Sequence, residues 1–293
     1  MAWCQVAFEL EAERTGLAEA ALESLGAVSV TWGEAEGSAA VLEPAPGETR
    51  LWDRVQVTAL FESDTDAKAL FASLTEALGE PPRGWQASTL ADQAWERAWL
   101  EHFRPLHCGG DLWVVPSDQT PPDPAAVNVR LDPGLAFGTG THPTTALCLQ
   151  ALAAEPPVGE TVIDYGCGSG LLAIAALKLG AEQVIAIDND PQALLATEDN
   201  ARRNEVDARL IVAGPEAPLP QADRVLANIL AGILQSLAPR LIGAMAANAR
   251  LTLAGLLSDQ VEAVQRAYEP AVIFSAPVEQ DGWVRLDGRH RSL

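Results

Sequence analysis

The sequence predicts an α/β protein built in two parts, and three observations predict it. Over the first ninety positions, short runs with apolar residues at every second place are separated by two stretches of helical spacing. From Pro143 onward, runs of β-formers and helical runs alternate one for one, the pattern of a doubly wound sheet. At one junction, Thr161-Val-Ile-Asp-Tyr-Gly-Cys-Gly-Ser-Gly170, a strand, a glycine turn and a helix start follow one another directly.

In chain order, Gln5–Leu10 alternates as a strand and Leu17–Leu25 has helical spacing. Val28–Trp32 and Ala39–Leu42 read as short strands around Gly33–Gly37. Arg54–Phe61 alternates clearly. Ala67–Leu78 is helical and stops at Gly79, with prolines beyond it. Trp85–Leu90 supplies a last strand. The order β-α-β-β-α-β is that of a ferredoxin-like α+β domain, assigned to residues 1–90. Asp92–Phe103 reads as a helix with Trp95, Trp99 and Phe103 on one face, inside a helical linker over 91–110.

The remainder, 111–293, begins with strands Leu112–Val115 and Val127–Leu131 around the proline-rich Pro116–Pro124. Helix Thr144–Ala153, strand Thr161–Tyr165 and helix Leu171–Leu179 follow. Then come strand Gln183–Ile187, helix Pro191–Asn204 and strand Arg209–Val212. Strand Asp223–Ala227, helix Gly232–Ala246 and strand Arg250–Leu253 continue the alternation. Helix Asp259–Tyr268 leads to Val272–Ser275 and Trp283–Leu286. With no helix between them, these last two strands are expected to pair antiparallel.

Composition narrows the function classes. The apolar fraction of 48% can fill real cores, and no apolar run reaches the roughly 18 residues of a membrane span. The start has no basic segment followed by an apolar one, so no signal peptide is read. The four cysteines and four histidines are scattered, which argues against a metal site and fits a reduced, cytoplasmic protein. The net charge of −21 makes nucleic acid a poor direct partner. Residues 1–129 hold 21 acids and 7 bases, against 19 and 12 in the rest, so the first part is the more acidic. It also holds seven of the eight tryptophans. An acidic surface steers basic protein partners, or simply keeps the chain soluble.

The glycine turn carries the most chemistry. A dinucleotide fingerprint spaces its glycines G-x-G-x-x-G, but here Gly166 and Gly168 are followed by Gly170, one position early. Asp188 ends the second strand 22 residues after Gly166, near the offset of a ribose-binding acid. Asp190, before Pro191, is better placed as a helix N-cap. Cys167 reads as a small packed residue rather than a nucleophile. Asn228 ends a later strand and is either a turn former or the group that holds a nucleophile through its amide oxygen. Leu131–Thr145 carries three glycines and opens a helix, with Thr141 or Thr144 as candidate caps; its free N–H groups suit a carboxylate.

The spacing Asp164-x-Gly166-x-Gly168-x-Gly170 resembles the turn of S-adenosylmethionine (SAM)-dependent methyltransferases of the Rossmann-like class. Together with Leu131–Thr145, Leu172–Gly180, Ile187–Gln192 and Ala227–Gly232, the chain is similar over nearly its whole length to the ribosomal protein L11 methyltransferase family, PrmA. Pro46–Trp52 and Trp95-Glu-Arg match that family's amino-terminal region.

The resemblance implies a substrate-recognising ferredoxin-like domain, a connecting helix and a class I methyltransferase domain at 111–293. It implies transfer of several methyl groups from SAM to lysine side chains and to the N-terminal amine of a large-subunit ribosomal protein. SAM contacts carry over to Thr145, Gly166, Gly168, Asp188 and Asn228, with Phe137 and Gly138 in the loop that closes over the cofactor and Asn228 as the catalytic position. Ala254 stands where the family often has Ser. The segment at Asn228 is not the Asn-Pro-Pro-Tyr of other N-methyltransferases. Two other readings share the fold: a class I methyltransferase for another protein or a small amine, and a non-catalytic ribosome-assembly factor. A nicotinamide oxidoreductase is disfavoured by the early third glycine.

Overall fold

The structure is a computed structural model that describes residues 2–35, 53–90, 104–132, 140–269 and 271–291. It divides into two compact units, Met1–Ala98 and Trp99–Leu293. The expected strand Ala39–Leu42 and the expected helix Asp92–Phe103 lie outside the described residues.

In the first unit, β1 (Trp3–Glu11), α1 (Thr15–Ser24), β2 (Ser29–Glu34), β3 (Arg54–Glu62), α2 (Ala67–Leu78) and β4 (Arg83–Leu90) follow in order. The sheet is antiparallel with order β2-β3-β1-β4, the ferredoxin-like arrangement. Alternation places Val6, Phe8 and Leu10 of β1 with Val57 and Phe61 of β3 on one buried face. Leu22 of α1 and Leu70 and Leu74 of α2 close that core. Asp66 starts α2 by accepting from Lys68 N at 2.9 Å, and Gly79, at φ 75°, ends it. Trp85 belongs to this core, stacked at 6.0 Å on Phe8 and edge-on at 5.3 Å to Phe71.

The second unit opens with a small sheet of β5 (Leu106–His107), β6 (Leu112–Val115) and β7 (Val127–Arg130). Residues 104–110 are therefore not helical, contrary to the expected linker. Leu106 and His107 instead pair with Val114 and Trp113, and Pro105 disfavours helix just before them. Then come α3 (Pro143–Ala154), β8 (Thr161–Tyr165), α4 (Leu171–Lys178), β9 (Gln183–Ile187), α5 (Pro191–Arg203) and β10 (Leu210–Ala213). After these follow β11 (Ala222–Asn228), α6 (Ala231–Gly243), β12 (Met245–Leu257), α7 (Val261–Tyr268), β13 (Val272–Phe274), β14 (Val278–Gln280) and β15 (Trp283–His290).

The main sheet runs β10-β9-β8-β11-β12-β15-β13, with β14 paired to β15. The first five strands are parallel, and β13, β14 and β15 join antiparallel, as expected for the last pair. One face is covered by α3 and α4, the other by α6 and α7. Helix α4 is apolar all round, and Leu171–Leu177 are all buried between the sheet and its neighbours α3 and α5. Strand β12 is far longer than the expected Arg250–Leu253. It starts at Met245, in a stretch expected to finish the preceding helix, because its first residue pairs with Ala222. From β8 the chain steps outward to β9 and β10, then returns across β8 to β11. That reversal leaves a crevice beyond the carboxyl ends of β8 and β11. Among the described residues no helix is long and apolar enough to cross a membrane.

Candidate active site at the carboxyl ends of β8, β9 and β11

Strand β8 runs into the glycine turn, whose three glycines have φ of 83°, 55° and 78° at Gly166, Gly168 and Gly170. All three lie in the left-handed region that side chains disfavour. The turn is pinned to β9, since Gly166 N and Cys167 N both donate to Ile187 O, at 2.8 and 3.0 Å. Helix α5 holds it from the side: Thr197 Oγ1 donates to Gly168 O at 3.0 Å and Asn200 Nδ2 donates to Ser169 O at 2.9 Å. A Cβ on Gly170 would sit 2.8 Å from Thr197 Cγ2. Cys167 is buried and its thiol is pushed up by burial, so it is a packing residue as expected.

Asp188 lies at the end of β9. Its Oδ2 accepts from Gly168 N at 2.8 Å and its Oδ1 from Asp190 N at 3.0 Å. A carboxylate offers about four acceptor positions, so room remains for two hydroxyls. Asp190 caps α5 by accepting from Gln192 N at 2.9 Å, the role expected of it.

Asn228 ends β11, and its Nδ2 donates to Thr145 Oγ1 at 3.3 Å. Thr145 is 2% exposed, in the first turn of α3. That helix is capped by His142, whose Nδ1 accepts from Thr144 N at 3.3 Å; neither Thr141 nor Thr144 serves as the cap. An imidazole can accept only when neutral, and burial lowers the His142 pKa in that direction. The ring also meets Trp283 edge-on at 4.9 Å. Ile229 ties the two halves of the site together: its N donates to Ala254 O at 3.1 Å, and its Cγ2 lies 2.2 Å from where a Cβ on Gly166 would be. Five of the expected site residues thus meet at one end of the sheet. Phe137 and Gly138 lie outside the described residues.

Sequence reasoning assigned no role to Asp164, Thr197, Asn200 or Ile229. Asp164 is fully buried; its Oδ2 accepts from Ala173 N at 3.0 Å, and its Oδ1 has no partner. It does for α4 what Gly170, its side-chain-less N-cap, cannot. Desolvation raises its pKa to about 7, helped by the charge of Asp188 and opposed by the bond from Ala173 N. The signal was the acid two places before the first glycine. For Thr197 and Asn200 it was two polar residues three apart in α5, both buried in the structure.

The family description "Ribosomal protein L11 methyltransferase (PrmA)" matches residues 2–291. The chain belongs to the PrmA family. Among its PrmA relatives is a protein of Azotobacter vinelandii named ribosomal protein L11 methyltransferase. It is 48% identical over 293 residues, covering 99% of this chain and 100% of that one. One of the same name from Pseudomonas aeruginosa is 48% identical over 294 residues, covering 100% of both. The crystal structure of a ribosomal protein L11 methylase from Lactobacillus delbrueckii subsp. bulgaricus superposes with a TM-score of 0.57 at 30% identity. It covers 65% of this chain and 100% of that one. The fold is Rossmann-like, and PrmA proteins use SAM. The residues here fit that cofactor. It is cationic at its sulfonium and ammonium and carries a ribose diol. The turn sets the unpartnered oxygen of Asp164 and the carboxylate of Asp188 beside three glycines.

Proposed function

We propose that the chain transfers methyl groups from SAM to amines of ribosomal protein L11, both lysine side chains and the N-terminal amine. The observation that carries this reading is the Asn228–Thr145 pair at the sheet's switch point, beside the glycine turn. With Nδ2 committed to Thr145, Oδ1 of Asn228 is left to accept an N–H from an incoming amine. That contact fixes the amine and turns its lone pair outward. Bound in the crevice, SAM supplies a methyl group activated by its sulfonium. Gly166 and Gly168 offer it backbone at close range, Asp188 receives the ribose hydroxyls, and Phe137 and Gly138 are proposed as further cofactor contacts.

The amine must be neutral to attack. For a lysine at pH 7 this costs about 4–5 kcal/mol, and for an α-amine with a pKa near 7.7–8.0 far less. A desolvated cleft that disfavours charge lowers that cost. None of the described side chains is needed as a dedicated base.

The ferredoxin-like part, residues 1–90, is proposed to select the substrate, the segment 91–110 to connect, and 111–293 to catalyse. Its acidic character suits a basic ribosomal protein. The setting proposed is the cytoplasm.

The test is methyl transfer from labelled SAM to ribosomal proteins from cells lacking this gene, resolved by intact mass. L11 should gain several methyl groups on amines, and Asn228→Ala should abolish the gain. Labelling of some other protein, with L11 unmodified, overturns the substrate assignment.

A further inference from the structure

Arg224 of β11, Arg250 of β12 and Arg289 of β15 are lateral neighbours. Arg224 is in register with Arg250, and Arg250 with Arg289. Laterally paired residues point to the same face, so three guanidinium side chains form a row across three adjacent strands. Like charges opposed across a strand pair are destabilising. In a chain of net charge −21 with only 19 basic residues, composition does not force such a row.

The acids nearby answer only part of it. Arg224 is held by Glu160, at 2.9 Å from Nε and 3.3 Å from Nη2, and its Nη1 donates to Glu155 O at 2.7 Å, closing the end of α3. Arg250 reaches Glu155 at 3.1 Å and Glu160 at 3.7 Å through Nη1 alone, leaving Nε and Nη2 to donate. Arg285 joins the same face and is held by Asp287 at 2.8 Å. Arg289 forms no ion pair within 4.0 Å among the described residues and is exposed. These four arginines line a cleft of about 350 Å³ that also presents the hydroxyl-bearing Thr252 and Ser275. Arg224 lies four residues before Asn228 on β11, so the cleft is roughly 13 Å from the proposed catalytic position, toward the opposite end of the sheet.

We propose that this cleft binds the phosphate group of a small molecule, bridged between Arg250 and Arg289. A tetrahedral oxyanion has enough oxygens to engage two guanidinium forks at once, which a planar carboxylate cannot match. It removes the repulsion between Arg250 and Arg289 and supplies Arg289 with a partner.

The experiment titrates inorganic phosphate into the full-length protein against chloride at matched ionic strength, followed by calorimetry and phosphorus NMR. The expected result is saturable binding at one site, weakened at least about tenfold in Arg289→Gln and retained in Arg291→Gln, which lies outside the cleft. SAM affinity should be unchanged in both variants, which verifies their folding. No saturable binding, or equal weakening by the two variants, overturns the proposal by reducing the row to diffuse charge. A short oligoribonucleotide tests the source of the phosphate. RNA that phosphate displaces supports a site for the single group. RNA binding without any binding of inorganic phosphate overturns the small-molecule assignment.

Discussion

The amide of Asn228 and the hydroxyl of Thr145 stand 3.3 Å apart, joining the end of β11 to the first turn of α3 across 83 positions of chain. The bond selects which end of the amide is presented to substrate. Thr145→Val keeps the shape and removes the bond, freeing the amide to turn. The expected loss in kcat is about 10–100-fold, with SAM affinity and Tm nearly unchanged. Asn228→Ala should lose more, about 100–1000-fold. A Thr145→Val enzyme with wild-type kcat would show that the amide needs no partner.

Gly166 is packed against Ile229. Alanine at 166 would place its Cβ 2.2 Å from Ile229 Cγ2 at a φ of 83°. The variant should bind SAM at least about tenfold more weakly. Pairing it with Ile229→Ala relieves the clash but not the dihedral strain of about 1–2 kcal/mol. Calorimetric SAM affinity of the double variant should therefore lie between wild type and Gly166→Ala. Failure of Ile229→Ala to restore any affinity would show that the dihedral alone sets the loss.

Asp164 gives the catalytic unit a pH signature. Its pKa rises on folding from 3.8 to about 7, so the folded state holds a proton that the unfolded state has released between those values. The stabilising influence is complete below pH 4, declines as pH rises, and is gone above 7, a change on the order of 4 kcal/mol. Asp164→Asn keeps an acceptor for Ala173 N and removes the titration. Urea midpoints at pH 5 and pH 8 should differ less in the variant than in the wild type. A cationic ligand favours the ionised carboxylate, so SAM binding near pH 7 should release a proton. Calorimetry in two buffers of different ionisation enthalpy measures that release, and Asp164→Asn should abolish it.

The two proposed amine classes separate by pH. Methylation at the N-terminal amine should level off above about pH 8, whereas methylation at lysines should keep rising toward pH 10. Site-resolved mass spectrometry of initial rates makes the comparison. Parallel profiles would mean that a step other than amine deprotonation limits both.

Strands β8 and β9 were legible to the residue, because their apolar runs are bounded by Gly and by charged or polar residues that end pairing. The turn and Asp188 were legible because backbone conformation restricts residue type there. The start of β12 was not. Met245 and Ala246 read locally as the end of a helix, and the strand is expected only from Arg250, yet the pairing of Ala222 with Met245 outweighs propensity. The two shortest strands that sequence reasoning missed, β5 and β14, offer too few residues for a period to show. His142 was overlooked as a cap because imidazole seldom serves as one. The pins on the turn, Thr197 and Asn200, look like ordinary helix residues until the helix is docked.

Strand β15 lies between β12 and β13, although both precede it in the chain. During synthesis β12 therefore presents an open edge, and β13 has no strand to pair with, until residues 283–290 emerge. The glycine turn and β11 are made long before the sheet can be sealed. An amide-exchange pulse on nascent chains should find β8 and β9 protected earlier than β12. The interval in between, with an apolar edge exposed, is the point at which this enzyme is most open to misassembly and to chaperone capture.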